Sequence, residues 1–237
     1  MMGRLLRHGL LPFTMLACVP VLRAQEGNIS IVLKGNLTTA SRVFTDPNSP
    51  DPVERAQFFS LENFLGFGVE ARYQIPETNI ALGLSADHIK SSTTQSVSLS
   101  TDRSVPIEDG YEVIPVELTG YFLIPVSGQT VGVYMGGGVG GYFGRRLYRY
   151  GDVDAATIHD GHGFGIHVLG GMSYRFTEWF SVLAEMKFRD LQFQTTNQFA
   201  SPIVTYRGMP IAVSEAPFDA LVHTDGVMFQ LGTAFNF

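Results

Sequence analysis

Nine charged side chains set the chemical question: Lys34, Glu70, Arg72, Asp87, Glu117, Arg175, Glu185, Lys187 and Arg189. Each sits at an every-second position among small or polar residues, and the positions between are mostly apolar. Alternate residues of a strand point to opposite faces, so these charges share the face opposite the apolar one. If that face encloses a narrow bore, an isolated ion there is expensive and the charges must pair. Counted from the turns, Lys34, Glu70, Glu117, Glu185 and Lys187 fall near one depth. Two chemistries are open to such a set. One is a salt-bridge plug that holds the bore shut; the other is a gate whose pairs exchange to admit a small solute.

The remaining reactive residues point to less. Asp152, Asp154, His159, Asp160 and His162 lie in one polar segment, and carboxylate oxygens suit calcium, but their spacing matches no ligand motif. Asp87 and His88 are adjacent in a strand and so face opposite sides, which works against a catalytic pair. No G-x-S-x-G elbow and no H-E-x-x-H helix occurs. The run Gly136-Gly137-Gly138-Val139-Gly140-Gly141 lacks the following helix and basic partner of a phosphate loop; it reads as space left for long side chains opposite. The expectation is no catalytic residue, no metal and no cofactor.

The elements that must position the charges are strands. Charged residues are 16% of the 237-residue chain, against about 25% in an average soluble domain, while aromatics reach 12%. No stretch in the body offers the about 18 consecutive apolar residues of a membrane helix. Period-two alternation instead marks eight strands: 28–38, 63–75, 80–89, 111–124, 131–144, 163–176, 180–193 and 226–237. Pro115 is tolerable near a strand start or at a bulge. Three short turns, at Pro76–Asn79, Pro125–Thr130 and Thr177–Trp179, alternate with four longer polar segments taken as loops. Those loops are 45–57, 90–110, 145–161 and 194–225, the last holding a small hairpin around Arg207-Gly208-Met209. Aromatics gather at the short turns (Tyr73, Phe122, Tyr174, Phe176, Trp179, Phe235, Phe237), and Phe143, Phe164 and Phe188 stand at the far ends. An even, antiparallel count can close on itself and leave no unpaired edge in lipid. The fold class expected is all-β: an eight-stranded antiparallel up-and-down transmembrane β-barrel.

Residues 1–24 read differently. Arg4, Arg7 and His8 precede an apolar run from Gly9 to Leu22, and Ala24 supplies a small residue for cleavage, which is the pattern of a secretory signal peptide. Acylation of Cys18 is the competing reading, although Met15 stands where Leu is wanted. Cleavage would divide the chain into a leader, 1–24, and a barrel domain, 25–237. Removing Arg4, Arg7 and Arg23 leaves 13 basic against 22 acidic side chains, a net of −9, and no cysteine. So acidic a chain, without a basic cluster, is a poor binder of nucleic acid.

The last strand, GVMFQLGTAFNF, carries Phe229, Leu231, Phe235 and Phe237 on one greasy face. It resembles the terminal strand of bacterial outer-membrane barrels, which the barrel assembly machinery reads. YEVIPVELTGYFLIP, YMGGGVGGYFGRR and GFGIHVLGGMSYRFTEWFSVLAEMKFRDLQF are similar to the small eight-stranded outer-membrane barrel family related to the OmpA membrane domain and OmpW-like proteins. The resemblance implies an outer-membrane protein with short turns and both termini in the periplasm. Its partners would be outer-membrane lipid, lipopolysaccharide and the assembly machinery, and its state a monomer. Ending at Phe237 departs from the full OmpA-type pattern, so a periplasmic peptidoglycan-binding domain and its anchoring role are not expected. The lipid hydrolases and acyltransferases of that membrane bring Ser and His together near the outer rim, and no matching constellation is present here. The function expected is therefore non-enzymatic: a surface barrel with long loops and an ion-paired interior. The alternatives are a narrow, porin-like passage for small or hydrophobic solutes, as OmpW-like proteins suggest, and a loop-mediated adhesin.

Overall fold

The computed structural model describes residues 28–100, 103–125, 130–224 and 226–237. The expected leader and Cys18 lie outside the described residues. Fourteen strands and one helical turn follow in order. The wall comprises β1 (Ile29–Phe44), β2 (Phe58–Gln74), β3 (Ile80–Ser100), β4 (Arg103–Leu123) and β5 (Val131–Tyr150). After β6 (Val153–Asp154) and β7 (Ala156–His159) it continues with β8 (Gly161–Arg175) and β9 (Phe180–Arg189). It is completed, past β10 (Leu191–Gln198), the hairpin β11 (Ile203–Tyr206) and β12 (Met209–Ala212), and β13 (Phe218–Thr224), by β14 (Val227–Asn236). The helical turn α1 (Pro52–Arg55) sits between β1 and β2, capped by the Asp51 carboxylate accepting from the Val53 N–H.

Strands β1, β2, β3, β4, β5, β8, β9 and β14 pair antiparallel with their neighbours in that order. The ring closes where β14 returns to β1, with Ser30 opposite Asn236 and Thr38 opposite Met228. This is an eight-stranded antiparallel β-barrel. Closure leaves no open edge, and no helix among the described residues is long and apolar enough to cross a membrane.

The outward face carries an apolar belt. On β4 it runs from Phe122 through Leu118 and Val116 to Ile114; on β14 it includes Phe229 and Leu231, and on β8 Phe164, Ile166, Val168 and Met172, all exposed. So continuous an exposed apolar surface is dressed for hydrocarbon, and a belt of this kind is about 25 Å tall. Its short-turn edge is an aromatic rim: Tyr174 lies 4.8 Å from Phe176, Phe176 5.9 Å from Phe180, and Phe180 5.7 Å from Phe235.

Part of three of the four expected loops is wall. The Ser/Thr-rich stretch 90–110 forms the far halves of β3 and β4, paired from Lys90↔Glu112 to Ser100↔Arg103. Much of 145–161 belongs to β5, β6 and β7. In the last segment β10 and β13 pair from Leu191↔Thr224 onward, prolonging β9 and β14. The physical reason is simple. Beyond the belt neither face of a strand is uniformly apolar, so the period-two signal fades while the backbone ladder continues. A 21-residue strand tilted by about 40° rises roughly 50 Å, twice the belt. The wall is kinked where it leaves the belt. Asn63 takes a positive φ of 53° opposite Thr39, and Thr39 Oγ1 accepts the Val227 N–H at 3.1 Å. Side chains of β1 and β2 change parity there together, with the register kept: Thr38 faces Phe64 and Ala40 faces Glu62. Pro115 lies within β4 rather than near its start, where the β3–β4 ladder skips from Ala86↔Val116 to Ile89↔Val113.

Candidate functional site

Inside the wall the bore is filled in layers. Nearest the short turns, Val32, Leu183 and Ala234 pack together, beside a cluster of Ala81, Tyr121, Tyr134 and Leu169. The charges come next. Above them lies an apolar core that includes Val43, Leu61, Phe64, Ile89, Tyr111, Phe193 and Val222. Opposing glycines make room for these long side chains. A Cβ on Gly171 would stand 2.7 Å from the Tyr134 ring and 2.9 Å from Glu185 Cγ, and one on Gly140 2.8 Å from Glu117 Cγ.

The charged layer divides into two groups. In the first, Lys34 Nζ donates to Glu70 at 2.6 Å and lies 3.8 Å from Glu185. Arg72 bridges both carboxylates at 2.9 Å, with its guanidinium 4.0 Å from the centre of the Tyr121 ring. The phenols of Tyr121 and Tyr134 donate to Glu70 and Glu185 at 2.7 and 2.8 Å. In the second, Lys187 Nζ donates to Glu117 at 2.8 Å and Arg189 Nη2 to Asp87 at 2.8 Å. Arg189 Nε is 2.6 Å from Glu117 Oε1, but its N–H is not aimed at that oxygen, so this is an ion contact and not a hydrogen bond. His167 Nε2 meets the Thr119 hydroxyl at 2.9 Å, and its Nδ1 lies 3.8 Å from Glu117.

Four cations thus face four carboxylates: Lys34, Arg72, Lys187 and Arg189 against Glu70, Asp87, Glu117 and Glu185. The pairing leaves the layer neutral, as burial demands. Of the nine charges expected on the inward face, the structure brings together eight: Lys34, Glu70, Arg72, Asp87, Glu117, Glu185, Lys187 and Arg189. Arg175 does not. It is the last residue of β8, exposed at the short-turn rim, and makes no ion pair among the described residues. A long cationic side chain one step from a turn reaches water instead of the bore. Tyr121, Tyr134, Tyr142 and His167 take part without having been counted in the network. Their inward parity was the signal, since each alternates in phase with the charges.

The Asp- and His-bearing segment 152–162, whose spacing matched no ligand motif, is dispersed. Arg149 holds Asp154 at 2.6 Å, and His162 Nδ1 contacts the Asp160 carbonyl at 3.1 Å. The Arg149 guanidinium keeps the Asp154 carboxyl below its ordinary range. No group of three candidate ligands comes together among the described residues.

At the long-loop end the bore opens into a cup. A cavity of about 410 Å³ is lined by residues of β2 to β5 and β13, with Thr45 and Gln57 from the β1–β2 connection. Its polar centre is Arg146, which donates from Nε to Asp109 Oδ1 at 2.8 Å and from Nη2 to Oδ2 at 2.5 Å. Burial raises the Asp109 carboxyl despite that clasp. The Arg146 guanidinium also lies over Tyr148 at 4.8 Å and Phe218 at 5.6 Å. One side of the cup is stiffened by an outer apolar cluster in which Phe199, Val204 and Ile211 of the β11–β12 region pack with Tyr148 and Phe218. Next to Phe218, Asn48 Nδ2 donates to Asp219 at 2.6 Å, tying the β1–β2 connection to β13.

No protein-family model matches the chain, and comparison with curated proteins gave no match. Among solved structures, Neisserial surface protein A is similar over 89% of this chain and 97% of its own, at 10% identity and a TM-score of 0.47. A major outer membrane protein from Thermus thermophilus is similar over 88% and 99%, at 12% identity and a TM-score of 0.48. Ail, the attachment invasion locus protein of Yersinia pestis, aligns over 90% and 100%, at 14% identity and a TM-score of 0.42. The chain resembles small outer-membrane β-barrels. The likeness is one of architecture alone; ring closure and the apolar belt stand on the chain's own geometry.

Proposed function

We propose that this chain is a non-enzymatic barrel of the bacterial outer membrane, exported by a leader cleaved at 1–24, that acts at the cell surface through its long-loop end. Lipid and lipopolysaccharide would cover the belt, and the assembly machinery would read Phe229, Leu231, Phe235 and Phe237 on β14. The observation that carries this reading is the filled bore. Aromatic, ionic and apolar layers follow one another along it, with Tyr111, Tyr142 and Phe193 fully or almost fully buried. An eight-stranded barrel is only just wide enough to be filled by side chains, and here it is filled. A salt-bridge plug supports this reading better than a gate, because the apolar core above it offers an ion no path. What remains for function is the extension beyond the belt, which also favours surface binding over passage.

The test places an epitope between Arg207 and Gly208, at the tip of the β11–β12 hairpin, in the full chain expressed in a diderm host. Antibody should label intact cells. Labelling only after the outer membrane is permeabilised would overturn the orientation and with it the surface role.

A further inference from the structure

We infer that the cup at the mouth of the barrel is a binding site for an uncharged saccharide, one or two rings in size; this rests on the surface role proposed above. The cavity of about 410 Å³ falls in the range of small-molecule sites, about 300–1,000 Å³. Its floor is closed by the apolar core beneath, where Val43, Leu61 and Val222 are buried, so a ligand enters and leaves from the outside only. The lining mixes two kinds of group. Phe58, Phe59, Tyr148 and Phe218 offer aromatic surface, while Gln57, Gln95, Asp109 and Arg146 offer planar hydrogen-bonding groups.

Those two kinds match the two faces of a pyranose. Its C–H faces are apolar and lie on aromatic rings; its hydroxyl edges donate and accept at once, as amide and carboxylate groups require. Charge decides against an ionic ligand. Arg146 is buried and held at both nitrogens by Asp109, so the pair is neutral and has no free charge to offer a phosphate, sulfate or ammonium. A purely apolar solute fits poorly too, because it would strip water from Gln57, Gln95 and the outer lone pairs of Asp109 and return nothing. The site is also held in shape before any ligand arrives. Tyr148 and Phe218 pack edge-to-face at 5.2 Å, and the Asn48–Asp219 bond ties the β1–β2 connection to β13 next to Phe218. Preformed walls reduce the ordering cost of binding.

The experiment uses the full-length protein in lipid nanodiscs against an array of neutral and anionic glycans, followed by calorimetric titration of the best neutral hit. Phe58→Ala and Gln95→Ala are the variants, because both side chains are exposed at the rim and their truncation leaves the packed layers intact. Saturable binding of a neutral glycan, weakened about tenfold or more by each variant, is the result expected. Binding that both variants leave unchanged would overturn the site. Binding confined to anionic glycans, or displacement of the neutral glycan by dodecane but not by a second sugar, would overturn the ligand class. An array blank for a protein that still labels on intact cells would sink the saccharide inference and leave the surface role standing.

Discussion

Replacing Glu117 with Gln should cost several kcal/mol although the shape is unchanged. Glu117 is fully buried and is the only carboxylate within 4 Å of Lys187 among the described residues, at 2.8 Å. Arg189, by contrast, keeps Asp87 at 2.8 Å when Glu117 is lost. The substitution therefore strands one ammonium. Breaking a buried pair from one side typically costs about 3–5 kcal/mol. A stranded lysine can also escape by releasing its proton, which for an ordinary lysine at pH 8 costs about 3.3 kcal/mol. That route caps the loss near the lower end of the range and makes it shrink as the pH rises toward 10. Lys187→Met in the Glu117→Gln background removes the stranded charge and should return roughly 1–3 kcal/mol. Equilibrium unfolding in urea, with the full chain in lipid vesicles and the folded fraction read from gel migration without boiling, measures the wild type and both variants. A loss under about 1 kcal/mol for Glu117→Gln, or no recovery in the double variant, would refute the idea of a tightly paired interior.

Two further substitutions test the two faces of the wall. Leu231→Arg, at a belt position 71% exposed on β14, should cost about 2–4 kcal/mol in lipid vesicles; an unchanged urea midpoint would mean that water and not hydrocarbon covers that face. Gly171→Val drives a side chain into the Tyr134 ring and Glu185, whose nearest atoms lie 2.7 and 2.9 Å from the added Cβ, and should cost about 1–3 kcal/mol. A neutral Gly171→Val would show that the glycines do not set the packing of the charged layer.

How much of this was legible in the sequence follows from where the apolar signal lives. The eight wall strands were readable because lipid makes one face uniformly greasy: Phe229, Leu231, Phe235 and Phe237 mark β14 unaided. The charges on the other face were readable for the same reason, as Lys34 and Glu185 show. Beyond the belt the logic failed. Ser91, Ser92, Thr93 and Thr94 look like loop residues, yet they sit in a continuous ladder with β4, because hydrogen bonding does not depend on side-chain polarity. Pairing partners were also hidden. Parity places Glu117 and Arg189 on one face, but only the register of β4, β5, β8 and β9 around the ring brings them together. Arg175 shows the converse, correct in phase yet too near a turn to enter the bore. The cup was invisible for a third reason. Asp109, Arg146, Tyr148 and Phe218 come from three strands, and all four fell in stretches that read as loops.

Single-channel recording of the purified full-length protein in planar bilayers tests the central claim most directly, that the bore is closed and function lies at its outer mouth. The layered interior predicts no discrete openings, for the wild type and equally for Glu117→Gln, since the apolar core above the ion pairs still seals the path. Reproducible unitary currents from folded wild-type protein would contradict it.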